Sequence, residues 1–97
     1  MSWVKEALAT ERQAKIRPHG GSMRGRIESG QLVTLEATTF SGVEIDDVIF
    51  IRWKGNYLLH LVLDKKEEML LIGNNVGKVN GWITGDAVIA KVVAVEA

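Results

Sequence analysis

From residue 31 onward, short runs of apolar and β-branched residues alternate with Gly, Asn and Asp. That pattern predicts strands joined by turns rather than helices. The predicted strands are Gln31–Ala37, Asp47–Trp53, Tyr57–Asp64, Met69–Gly73 and Val88–Val95. Gly55-Asn56 suits a two-residue hairpin turn, where positive φ is needed, and Lys65-Lys66-Glu67-Glu68 reads as a polar four-residue turn. With the first turn in place, Trp53 faces Leu58 and Ile51 faces His60. Alternation then assigns Leu58, His60 and Val62 to one face of their strand, and Tyr57, Leu59, Leu61 and Leu63 to the other. Both faces are apolar, so this strand is expected inside the sheet rather than at its edge.

The N-terminal stretch differs. Trp3 with Ala7 and Val4 with Leu8 stand four residues apart, the spacing of one face of an amphipathic helix. The helix is expected within residues 1–16, because the Pro18 ring and its missing N–H stop any continuation. His19-Gly20-Gly21-Ser22 must then be a turn or loop. The expected architecture is one mainly-β domain over residues 1–97: a short N-terminal helix, then a coiled β-sheet or small barrel over residues 20–95.

Composition narrows the function classes. Ninety-seven residues, 46% hydrophobic, close one core and not two. Twelve basic residues balance twelve acidic ones, which leaves no surplus for counterion-driven binding to nucleic acid. Neither a nucleic-acid partner nor an integral membrane segment is expected, since no run of about 20 apolar residues occurs. Cysteine is absent and only His19 and His60 are present, so thiolate chemistry is excluded and a metal site is poorly supplied. No phosphate-cradling Gly-Lys-Ser/Thr motif is found and no cofactor is expected. A cytoplasmic location is the default expectation.

Three segments carry candidate chemistry. Gly20-Gly21-Ser22-Met23 places a hydroxyl where glycines let a substrate backbone approach, although a serine needs a neighbouring base to act as a nucleophile. His60 stands in the apolar run Tyr57–Leu63, as a satisfied core histidine or as a base kept neutral by its surroundings. Gly73-Asn74-Asn75 ends a strand in a tight polar turn, whose Asn side chains are candidates to orient a histidine or to donate to an oxyanion. His19, three residues before Ser22, is a weaker candidate base. Lys54, Lys65 and Lys66 fall in expected turns, where lysine stays solvated and protonated. Asp64 and Asp86 are candidate carboxylates for orienting a base.

Taken in order, these segments resemble the serine peptidases that include type I signal peptidases and the self-cleaving, LexA-like SOS and phage repressors. Gly20-Gly21-Ser22-Met23 is similar to the family's Gly-x-Ser-Met, and Ile27-Glu28-Ser29-Gly30-Gln31 to its strand entry. Ile45-Asp46-Asp47-Val48 looks like its next strand, Leu59-His60-Leu61-Val62 like the base-bearing strand in its histidine form, and Gly73-Asn74-Asn75 like its Gly-Asp-Asn element. Ala90-Lys91-Val92-Val93 is similar to the closing strand. The resemblance spans about Gly20 to Val95. It implies a soluble serine peptidase acting on an extended peptide with a Ser22–His60 dyad, and with Met23, Asn74 and Asn75 as oxyanion or orienting residues. Asn74 stands where the family has Asp, and an amide cannot stabilise an imidazolium as a carboxylate does. The alternative implied is a catalytically inactive peptidase-like domain that binds a peptide or protein partner. With no membrane anchor and no DNA-binding domain read in the sequence, neither familiar biological role is expected to transfer whole.

Overall fold

The computed structural model describes residues 2–20 and 23–96. Helix α1 (Ser2–Glu11) opens the chain, with Val4 and Leu8 buried beneath it and Trp3 on its exposed side. It stops sooner than expected. Arg12 adopts a left-handed backbone at φ 66°, and its N–H bonds back to the Leu8 carbonyl at 3.1 Å. A left-handed residue at this place turns the chain out of the helix. Residues 13–16, expected at the helix end, instead form β1 (Gln13–Ile16), with Ala14 and Ile16 facing in.

Six further strands follow: β2 (Leu32–Ala37), β3 (Val48–Trp53), β4 (Asn56–Lys66), β5 (Met69–Gly73), β6 (Val79–Thr84) and β7 (Val88–Glu96). They form one antiparallel sheet in the order β1-β2-β7-β3-β4-β5-β6. The mainly-β architecture with an N-terminal helix is therefore as expected, and β4 is an inner strand. Register shifts interrupt four of the six ladders. Each such bulge bends a strand and raises its twist, which lets the sheet coil over two cores.

The strand pair β3–β4 forms the wall between those cores. Val48, Phe50 and Leu61 face one cluster, shared with Val4, Leu8, Val33 and Leu35. Ile49, Ile51 and Val62 face the other, shared with Leu70, Ile72 and Ile83. Period-2 alternation on two apolar strands produces this arrangement, and each fully buried aliphatic side chain contributes about 1.5–3 kcal/mol.

Two turns differ from expectation. The β3–β4 hairpin closes on Lys54-Gly55, with φ of 51° and 79°, and Asn56 already pairs with Trp53. Positive φ at both central residues is the geometry that matches strand twist. Ile51 consequently faces Leu58, and His60 faces Ile49. The slip is two residues, so every side chain keeps its expected face. The β4–β5 turn is Glu67-Glu68 alone, since Lys66 pairs with Met69. Strand β6 replaces part of an expected loop: Asn80-Gly81 reads as a turn but lies in an irregular edge ladder, with Gly81 at φ 132°. Among the described residues, no helix is long and apolar enough to cross a membrane.

Candidate functional site

His60 is held inside the fold by β4 and is only 8% exposed. Its ring lies edge-on to Trp53, with centroids 5.7 Å apart. Nδ1 stands 3.2 Å from the Gly73 carbonyl oxygen. A carbonyl can only accept, so Nδ1 donates and carries the proton. Nε2 of the neutral ring is left as a lone-pair acceptor, and this buried atom has no hydrogen-bond partner among the described residues. Burial holds the imidazole below its usual range, and the positive charge of Lys78 acts in the same direction, against the opposing effect of the Gly73 hydrogen bond. The result is a neutral ring in one defined tautomer, which is the form a general base requires.

The Gly73 carbonyl reaches His60 because Gly73 pairs with Leu61, the next residue on β4. Glycine is required at 73 by close approach: a Cβ there would collide with the Lys78 carbonyl and the Leu63 side chain. The turn beyond it is tied down by Asn74, whose Oδ1 accepts from the N–H groups of Val76 (3.0 Å) and Lys78 (2.9 Å). Asn74 was a candidate orienter of the histidine; the structure gives that role to the Gly73 backbone.

Asn75 does something different again. Its Nδ2 donates to the Arg24 carbonyl at 2.7 Å, and its Oδ1 accepts from Arg26 Nε at 2.8 Å. Arg26 also reaches Asp46, through Nη1 to the backbone oxygen at 3.1 Å and through Nη2 to Oδ1 at 2.6 Å. One asparagine and one arginine thus lock three loops together. The space is tight, since a Cβ on Gly25 would lie 2.9 Å from Asn75 Nδ2. Asn75 therefore clamps the segment that follows Ser22.

That segment begins with Met23, which is buried and whose carbonyl accepts from the Arg26 and Ile27 N–H groups at 3.0 and 2.8 Å. The single turn seats Met23 and Ile27 in the first core. On the other side the loop is closed at its base: Gly30 N–H donates to the Pro18 carbonyl at 2.9 Å, and Arg17 Nη1 to the Gly30 carbonyl at 2.8 Å. Ser22 itself lies outside the described residues.

A cavity of about 330 Å³ adjoins His60. Its apolar lining comes from Ile16, Met23, Ile27, Phe50, Leu58 and Leu59. Gly20 and Met23, on either side of the Gly21-Ser22 pair, both line it. So do His19 and Asn80. His19 is exposed at this rim, its Nδ1 3.4 Å from Ser29 Oγ. Phe50 and Tyr57 stack nearly parallel, 5.8 Å between centroids, and form one wall. Asn80 was not read as a site residue. Its Oδ1 is the second buried polar atom without a partner among the described residues, and the Asn-Gly dipeptide that contains it looks like ordinary turn chemistry.

The remaining candidates lie elsewhere. Asp64 is exposed and accepts from the Lys65 N–H, and Asp86 is exposed and pairs with Thr84. Lys65 is not solvated in a turn as expected. It lies on β4 and is partly buried, and its Nζ donates to the Phe40 and Val43 carbonyls at 3.1 and 2.6 Å. Among the described residues no group of three or more His, Cys, Asp or Glu side chains is placed to hold a metal ion.

Comparison with known families adds no outside assignment: no protein-family model matches the chain, and no curated protein is detectably similar to it.

Proposed function

We propose that this chain is a small serine peptidase of signal-peptidase and LexA-like type, with Ser22 as nucleophile and His60 as base. One observation carries the reading. A buried histidine presents an unpaired, unprotonated Nε2 beside a cavity that is also lined by the residues flanking Ser22. In this mechanism Nε2 takes the Ser22 hydroxyl proton as Oγ attacks a peptide carbonyl. Backbone N–H groups of the Ser22–Met23 segment stabilise the oxyanion. The imidazolium then returns its proton to the leaving amine, and water, activated by the same nitrogen, hydrolyses the acyl-enzyme. The Gly73 carbonyl keeps the ring in the productive tautomer throughout.

The same carbonyl favours a second reading. It is neutral, so it offers the imidazolium less than the carboxylate of a full triad. A domain that binds an extended peptide without turnover is consistent with that weaker support.

Cleavage of a diverse peptide library, read by mass spectrometry, separates the two. Wild-type cleavage that disappears in Ser22→Ala and in His60→Gln, together with labelling of Ser22 by a fluorophosphonate, is the expected result. Equal cleavage by wild type and Ser22→Ala overturns Ser22 as nucleophile. Peptide binding with no cleavage identifies the binding domain.

A further inference from the structure

Three asparagines follow one another closely along the end of β5 and the start of β6, and their side-chain oxygens have different fates. Asn74 Oδ1 accepts from two backbone N–H groups, and Asn75 Oδ1 accepts from Arg26. Both are structural. Asn80 Oδ1 is buried without a partner among the described residues, and Asn80 lines the cavity beside His60.

Its placement follows from the edge ladder. Ile72 pairs with Gly81 and Gly73 with Val79, so Asn80 is the extra residue of a bulge. Bulges re-aim a side chain that regular alternation would send to another face. Leaving a buried acceptor unmade typically costs on the order of 1–3 kcal/mol.

The cavity is lined by His60 and Asn80, the two residues whose buried acceptors, Nε2 and Oδ1, have no partner among the described residues. In the proposed dyad the single Ser22 O–H satisfies only the first. The second donor has to arrive with the occupant. Because the remaining lining is largely apolar, the occupant brings an apolar side chain, and its donor is the adjoining main-chain amide.

We propose that Asn80 is a substrate-binding residue, whose Oδ1 accepts one backbone N–H of the peptide that occupies the His60 cavity. The assignment rests on the peptide-binding part of the reading above, and its test does not require turnover. Displayed random decapeptides are selected on the Ser22→Ala protein, and the tightest is resynthesised with each backbone N–H replaced in turn by an ester oxygen. At one position the ester weakens binding about 5- to 10-fold. In Ser22→Ala/Asn80→Ala that penalty vanishes, while Ser22→Ala/Asn80→Asp, which keeps an acceptor oxygen, retains it. A merely structural role for Asn80 would lower affinity for every peptide equally. An ester penalty unchanged by Asn80→Ala at all positions overturns the assignment, and so does failure of any peptide to bind. The two ideas fail separately: ester coupling without wild-type cleavage removes the peptidase and keeps Asn80, and cleavage without coupling does the reverse.

Discussion

Two ionisable side chains of β4 turn toward the interior, and the fold treats them in opposite ways. Lys65 meets the backbone carbonyls of Phe40 and Val43 and covers the Phe40 ring at 4.5 Å. Lys91 donates to the Gly42 carbonyl at 2.9 Å beside it. Here the ammonium groups satisfy carbonyls in and just after a short 3-10 turn, Phe40–Gly42. His60 has one partner, one unpaired nitrogen and an adjacent cavity. A fully paired ammonium serves to hold a loop in place, whereas a neutral imidazole with one nitrogen unpaired leaves a bonding site open. The two places therefore differ in pairing: carbonyls satisfy the Lys65 ammonium, and His60 Nε2 has no partner among the described residues.

The largest expected effect is on His60. His60→Gln keeps a donor for Gly73 but removes the base, so peptide cleavage should fall by about 10²- to 10⁴-fold while stability changes by less than about 1 kcal/mol. Cleavage rate and urea midpoint are measured on the same preparation. A large loss of stability with unchanged cleavage would make His60 a second Lys65.

Lys65→Met should show the opposite profile. It removes two charge-assisted hydrogen bonds and leaves the Val43 carbonyl buried without them, at a cost of about 2–3 kcal/mol. Cleavage by the protein that remains folded should be unaffected. Urea unfolding gives the stability, and a change below about 0.5 kcal/mol would contradict the structural role.

Asn75→Ala lies between these two. Two hydrogen bonds to Arg24 and Arg26 are lost, worth about 1–2 kcal/mol together. Because they hold the segment after Ser22, amide hydrogen exchange should accelerate at residues 23–27 more than around Phe40–Val43. Uniform acceleration would mean that the clamp has no local effect.

The smallest effect is in the pH dependence. The folded imidazole titrates below the unfolded one, chiefly because burial disfavours its charged form. Between the two values the unfolded chain binds more protons, so stability falls as pH drops. The contribution is complete above the usual imidazole range and is lost as pH falls toward the lowered folded value. Urea midpoints at about pH 7.5 and about pH 5 should differ less in His60→Gln than in wild type. The acid limb of the cleavage profile should likewise lie below the usual imidazole range.

Local pattern was enough to anticipate most of the sheet. The Met69–Gly73 run is the observed β5, and the two faces of Tyr57–Leu63 are the two faces found. Side-chain direction survives the two-residue error in the hairpin because alternation has a period of two. The end of α1 was not legible, since Arg12 takes a left-handed backbone that its identity does not announce. Strand β6 was hidden for a related reason: on an edge, Val79 and Trp82 stay exposed and no clean alternation develops.

Neighbours along the chain suffice to put His60 in an apolar strand and Gly73-Asn74-Asn75 in a tight turn, because burial and turn formation follow from local pattern. What those residues touch is set by contacts between distant strands. The partner of His60 depends on β4 pairing with β5 so that Gly73 lies opposite Leu61. The entry of Asn80 into the same cavity depends on a one-residue bulge in a different ladder. Neither register nor bulge is a local property: both are set by cores that form only when distant strands meet, and a one-residue shift would reverse which side chains reach the site.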